Sequence, residues 1–197
     1  MTDAMAINNV FWTIQGEGYY AGTRALFVRM PHCNLTCSWC DTSFDTSRIW
    51  TKEELKEIAL SEDSRFAVIT GGEPMLHRHT RKVVETLKEL GFYIAAETNG
   101  TMKPPCEFDW ITCSPKREAE YKIHDDLYEK VSEFKYVVDS DFPFAVLDRH
   151  KNETSKRLSL SPEFGNFKQS VAAICEYVKN DPRWKISLQT HKWMGIP

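Results

Sequence analysis

Three cysteines fall within one short stretch, Cys33-Asn-Leu-Thr-Cys37-Ser-Trp-Cys40. A loop of that length can bring three thiolates onto one metal centre. Four cysteines saturate a four-iron cluster, whereas three leave one iron with an open position, which chemistry needs and electron transfer does not. The same triplet could hold zinc, with His32 or Cys106 as a fourth ligand, or could remain as buried thiols. Small zinc sites usually present two paired ligand sets, and a single triplet favours the iron–sulfur reading. Cys106, Cys113 and Cys175 are scattered, which speaks for a metal site in a reducing compartment and against three disulfides. Cys175 is expected in the core, on an apolar helix face.

Other reactive residue types follow apolar runs. Gly71-Gly72-Glu73-Pro74 comes directly after the run at 66–70. Two glycines let backbone polar groups approach a ligand closely, and the carboxylate can accept from an ammonium. An ordinary turn has the same composition. Glu97-Thr98-Asn99, Ser114-Pro115-Lys116 and Gln189-Thr190-His191 occupy comparable positions. Gln15 and Glu17 lie in a glycine-bearing run before the first long apolar segment, and together they can read a polar heterocycle edge. Arg29 sits inside an apolar run, where a buried charge needs a partner, and its fork suits a carboxylate. Asp41 and Thr42 offer the hard oxygen donors that magnesium takes. Each has an ordinary alternative: a solvated turn for Gln15 and Glu17, a helix cap for Asp41 and Thr42, and a surface ion pair for Lys116. Trp39 could equally be a packing residue, and His191 an exposed or structural one.

The elements that must position these residues alternate. Strands are expected at Arg24 to Met30, 66–70, 93–97, around Trp110 to Thr112, 134–138 and 184–189. Helices are expected after an N-cap at Thr51, over 78–90, over 142–150 and over 167–179, with Val171, Ile174, Cys175 and Val178 facing inward. Strand–helix alternation implies parallel pairing and right-handed crossovers. The reactive residues then share the rim formed by the strand ends. A full eightfold barrel needs about 250 residues, so 197 fit an α/β incomplete, TIM-like barrel of about six parallel strands. A doubly wound flavodoxin-like sheet is the alternative. No linker divides the chain, which reads as one domain over 1–197 with a short leading segment, 1–23.

The 25 Lys and Arg against 28 Asp and Glu give a net charge of -3, without the basic field of most nucleic-acid binders. No apolar stretch approaches the roughly 20 residues of a membrane helix, and the first residues do not form a signal peptide. A cytoplasmic location is the expectation.

The pattern C-x3-C-x-aromatic-C, joined by GGEP after the second strand, resembles the radical S-adenosylmethionine superfamily. Within it, TxQGEG at 13–18, Arg29, Asp41-Thr42, ETNG at 97–100, SPK at 114–116 and LQTHK at 188–192 are similar to the 7-carboxy-7-deazaguanine synthase family. The motifs span the chain from about residue 7 to its end. The resemblance implies a 4Fe–4S cluster on Cys33, Cys37 and Cys40, with S-adenosyl-L-methionine on its unique iron. Trp39 would lie near the adenine and Gly71, Gly72 and Glu73 near the methionine amino group, with Glu97, Thr98, Ser114 and Lys116 also on the cofactor side. Gln15, Glu17, Arg29, His191 and Pro197 would bind substrate, Pro197 through a terminal carboxylate, and Thr42 before Asp41 would bind Mg2+. The implied reaction is a radical ring contraction of 6-carboxy-5,6,7,8-tetrahydropterin that releases ammonia, in queuosine and deazapurine biosynthesis. A homodimer and an external electron donor such as flavodoxin or ferredoxin are also implied. The rivals are a glycyl-radical activase and a zinc-stabilised interaction domain.

Replacing Cys37 by Ala is expected to abolish both the cluster and S-adenosylmethionine cleavage. Iron and sulfide analysis with a cleavage assay checks this, and normal values for both would contradict it.

Overall fold

The computed structural model describes residues 4–40, 42–44 and 46–197. Two short strands, β1 (Met5–Ile7) and, later, β4 (Arg48–Trp50), pair antiparallel as a separate ribbon. All other strands form one sheet. β2 (Asn9–Ile14) lies antiparallel on β3 (Arg24–Met30). From β3 the order runs through β5 (Phe66–Gly71), β6 (Tyr93–Thr98), β7 (Trp110–Cys113), β8 (Glu133–Val138) and β9 (Arg157–Pro162) to β10 (Trp184–Ile186), every pair parallel. This is the expected incomplete barrel. Its end strands, β2 and β10, do not pair with each other.

Helices cover the outer face. Thr51 caps α1 (Lys52–Leu60) in a capping box with Glu54, as the sequence suggests. Leu55 and Ala59 of α1 pack with Val83, Val84 and Leu87 of α2 (Thr80–Glu89) against Leu26, Val28 and Met30 of β3. Each of these buried Leu, Val and Met side chains contributes roughly 1.5–3 kcal/mol. At the other end of the sheet, Phe134, Tyr136, Leu160 and Trp184 pack with Ile174 of α4 (Phe167–Asn180). The short helix α3 (Asp125–Tyr128) places Leu127 in this second cluster.

The inner face is different. Register aligns Phe27, Val68 and Ala95 in one row, a small apolar plug completed by Ala25, Phe66, Tyr20 and Trp110. The next row is polar: Glu97 faces Thr112, Thr112 faces Glu133, and Glu133 faces Arg157. The turn after β2 fills the gap between the sheet's edges. The Tyr19 N–H donates to Glu133 on β8 (3.0 Å), the Gly18 N–H to Ser187 after β10 (2.8 Å), and the Thr190 N–H to Gly16 (3.0 Å). Those contacts reach both ends of the sheet, so it must curl around the turn.

Four expectations need correction. β9 is an addition to the expected strands: its inward residues Ser159 and Ser161 are polar, so the run Arg157–Pro162 lacks the density of an apolar strand. The helix expected over 142–150 is a 3-10 turn, Phe144–His150, held by bonds such as Val146 N–H to Pro143 (2.9 Å). The last strand ends at Ile186, because the chain turns there to meet the 15–18 segment. Cys175 is half-buried, since α4 lies over the sheet edge and buries only Ser170 and Ile174 fully.

Gly71 and Gly72 have a packing role the sequence did not disclose. Gly71 has φ +131, and a Cβ on it would lie 2.1 Å from the Met30 carbonyl oxygen; on Gly72 it would lie 1.7 Å from that of His32. The bare backbone lets the Gly72 N–H reach Met30 (3.1 Å) and the Glu73 N–H reach His32 (2.9 Å), which seats the cysteine loop on the end of β5. Gly72→Ala is expected to cost about 2 kcal/mol or more and to lower cluster content. Chemical denaturation and iron analysis check it, and wild-type values for both would refute the packing role.

Candidate active site

Two cavities open on the rim at the strand ends. The smaller, of about 200 Å³, is lined by Cys33, Cys37 and Cys40 together with Trp39, Gly71 and Gly72. Thr98, Asn99, Ser114 and Lys116 complete its far wall. The larger, of about 420 Å³, is lined by Gln15, Glu17, Arg29, His191 and Pro197. His191 stands on α5 (Thr190–Met194), and the Thr13 hydroxyl donates to the Pro197 carbonyl (3.0 Å). Glu17, Thr42, Thr70, Glu97, Lys135 and Gln189 line both cavities, which therefore share a wall. Of the residues assigned from sequence to the cofactor, all but Glu73 line the smaller cavity, and those assigned to the substrate line the larger, so the two sets fall into adjacent parts of one cleft.

The cysteine loop is anchored from β6. Asn99 donates to Asn34 (3.0 Å) and toward the Cys33 sulfur (3.9 Å), while its own oxygen accepts from the N–H and hydroxyl of Thr101. The Cys37 thiol donates to Glu118 (3.3 Å). Burial, with Glu118 beside it, pushes Cys37 up to about 12, so iron must displace its proton on ligation. Three thiols from one loop, with no other cysteine on the cavity wall, fit a cluster with one open iron. Among the described residues no three His, Cys, Asp or Glu side chains stand together as a metal site. His32, the suggested fourth zinc ligand, stacks on His77 with ring centroids 6.0 Å apart.

Glu73 lies beneath the cleft, fully buried. Its two oxygens accept from the Met75 N–H (3.0 Å), the Thr98 hydroxyl (2.8 Å) and the Asn99 N–H (2.7 Å). Burial raises its carboxyl despite these three donors. Glu73 therefore ties the end of β5 to the end of β6 and is absent from the cavity wall, unlike the two glycines before it. Lys116 donates to Ser114 (2.6 Å) and sits 5.1 Å from the Trp39 ring, while burial and the nearby Lys135 charge lower its basicity.

On the other side, Arg29 donates to the Thr42 hydroxyl (3.2 Å), which places the guanidinium beside the candidate magnesium ligand. Asp41 lies outside the described residues. Gln15 donates to Glu97 (3.4 Å) and accepts from the Glu17 N–H (3.1 Å). Lys135 belongs to none of the motifs in the sequence. Its ammonium stands 2.9 Å from Glu17 and 3.0 Å from Glu97. Burial alone would raise Glu17, but Lys135 and a hydrogen bond from Gln189 (2.9 Å) outweigh it and hold the carboxyl at about 2. Burial prevails at Glu97, which stays raised although Lys135 opposes it. The signal for Lys135 was present: a cation inside an apolar strand, as at Arg29.

Residues 27–110 match the family model described as the Radical SAM superfamily. The chain is 34% identical to a 7-carboxy-7-deazaguanine synthase of Haemophilus influenzae, over 96% of this chain and 93% of the relative. It is also 34% identical to one of Bacteroides thetaiotaomicron, over 96% and 97%. The crystal structure of QueE from Escherichia coli superposes with a TM-score of 0.78 at 26% identity, covering 94% of this chain and 93% of that one. No helix among the described residues is long and apolar enough to cross a membrane.

The depressed Glu17 carboxyl is linked to stability. A folded-state value below the unfolded one stabilises the fold above the ordinary value near 4.5, and that contribution is lost as pH falls toward about 2. Glu17→Gln is expected to flatten the acid limb of the stability–pH curve in that window. Denaturation at a series of pH values checks it; an unchanged limb would contradict the ion pair.

Proposed function

We propose, from the premise that this chain belongs to the 7-carboxy-7-deazaguanine synthase family of the radical S-adenosylmethionine superfamily, that it converts 6-carboxy-5,6,7,8-tetrahydropterin to 7-carboxy-7-deazaguanine and ammonia. Membership makes it a radical S-adenosylmethionine lyase of deazapurine and queuosine biosynthesis. The single observation that carries the finer reading is the shared wall: a thiol-lined half and a polar half meet at Glu17, Glu97 and Lys135.

Cys33, Cys37 and Cys40 would hold the 4Fe–4S cluster. Together with S-adenosylmethionine that cluster would supply radical chemistry at the substrate. The protein's part is to bind and orient. Gly71 and Gly72 offer backbone polar groups, and Trp39 offers a ring face to the adenine. Glu97, Thr98, Ser114 and Lys116 line the remaining cofactor wall. Glu73 acts from beneath, holding the strand ends that carry those groups.

In the larger half, the Arg29 fork pairs with the substrate's 6-carboxylate. Gln15 and Glu17 meet the pterin ring, Glu17 as an acceptor for ring N–H groups because Lys135 and Gln189 hold its carboxyl low. His191 and Pro197 close the cavity. Thr42, with Asp41, would supply oxygen donors for Mg2+. In this reading segment 1–23 is the substrate-binding part of a single domain, which works as a homodimer with an external electron donor.

Anaerobically reconstituted enzyme, given reductant, S-adenosylmethionine and 6-carboxytetrahydropterin, is expected to form the deazaguanine by mass spectrometry. An intact cluster without conversion would overturn the reading and favour a glycyl-radical activase. Arg29→Ala is expected to retain the cluster and weaken pterin binding by roughly tenfold or more, the loss of a charged hydrogen-bonded pair. An unchanged dissociation constant would remove Arg29 from the substrate site.

A further inference from the structure

Lys135 is 5% exposed and projects from the middle of β8 onto the polar inner face, where register sets it opposite Ser159 of β9. Two carboxylates flank it, Glu97 from β6 and Glu17 from the inserted turn. A buried ion pair is a weak source of stability, because apolar residues of similar volume serve a core as well or better. Fold stability therefore does not account for the trio. Its place does, since all three residues line both halves of the cleft. Glu17 is also the member that needs help. It lies in a turn outside any helix or strand, whereas Lys135 is fixed in the sheet.

We infer that Lys135 is a positioning residue for the substrate: its ammonium fixes the Glu17 carboxylate at the boundary of the two cavities, where that carboxylate accepts from the ring N–H groups of the pterin. The inference rests on the function proposed above. Charged and titratable groups face the trio from every side: His191 and Lys192 on α5, Lys116 after β7, Arg29 on β3 and Glu133 on β8. Removing the ammonium leaves Glu17 and Glu97 buried close together with their main counter-charge gone. Glu17 then takes up a proton at a higher pH and presents a hydroxyl where an acceptor is required.

The test measures pterin affinity of the cluster-loaded enzyme across pH 5.5 to 8.5, by anaerobic calorimetry, for wild type, Lys135→Met and Lys135→Arg. Lys135→Met is expected to bind 6-carboxytetrahydropterin more weakly than wild type. That deficit should widen on the order of tenfold toward the acid end, as an ionic acceptor is lost. Lys135→Arg should restore the wild-type profile, and placing Lys135→Met in a Glu17→Gln background should remove the pH-dependent part. A purely structural lysine would lower affinity equally at all pH values and would persist in that background. That outcome, or an unchanged affinity and profile in Lys135→Met, overturns the inference. Where Lys135→Met fails to retain cluster, the Glu97→Gln/Lys135→Met double variant relieves the second unpaired carboxylate and carries the same comparison. Should wild type bind no pterin at any pH, the proposed substrate fails. The role of Lys135 is then judged from the Glu17 carboxyl resonance by 13C NMR, which must titrate at higher pH in Lys135→Met for the inference to stand.

Discussion

The contact of Lys135 with Glu17 joins the turn after β2 to the inner face of the sheet, and much of the molecule is arranged so that it can form. An open barrel leaves a gap between its edge strands, and exposed strand edges are a liability. Here the gap is filled by residues 15–20. Backbone donors of Gly18, Tyr19 and Thr190 tie that turn to the region after β10 and to β8, and Tyr20 packs on Phe66 below. A carboxylate carried inward by such a turn would be costly without a counter-charge. Lys135 supplies it while also donating to Glu97, and Gln189 donates to the Glu17 carboxylate.

A second buried carboxylate does analogous work at the cysteine end. Glu73 joins β5 to β6 through Thr98 and Asn99, and Asn99 in turn holds the loop that carries Cys33. The pair Gly71-Gly72 permits that loop to lie against the strand end at backbone distance. The thiol-lined half is thus set by strand ends that Glu73 clamps, and the polar half by a turn that Lys135 clamps. Both clamps converge on Glu97 and Thr98, adjacent residues at the end of β6.

The sequence disclosed the residues at strand ends well. The cysteines, Thr98 and Ser114 lie at or just after the ends of apolar runs, so parallel topology gathers them on one rim, whereas His191 is carried there by α5, whose first residue, Thr190, donates to Gly16. Arg29 was legible because a charge inside an apolar run is conspicuous. Lys135 had the same signal, but alternation in the strand around it reads equally as one solvated face. The polar lumen is what misled that reading. Ser159 and Ser161 are buried although polar, so β9 did not resemble a strand, and Glu133 and Lys135 resembled surface positions. Glu73 was legible as important, while its three protein donors were not, because they come from residues 75, 98 and 99.

The central claim is that cofactor and pterin occupy adjoining halves of one cleft and meet across Glu17, Glu97 and Lys135. An anaerobic crystal structure with cluster, S-adenosylmethionine and 6-carboxytetrahydropterin bound tests it most directly. The account predicts the methionine end against Gly71 and Gly72, and the pterin in the larger cavity, with a ring N–H within hydrogen-bond reach of Glu17 and the carboxylate on Arg29. A pterin bound outside that cavity, or separated from S-adenosylmethionine by an intact protein wall, would contradict it.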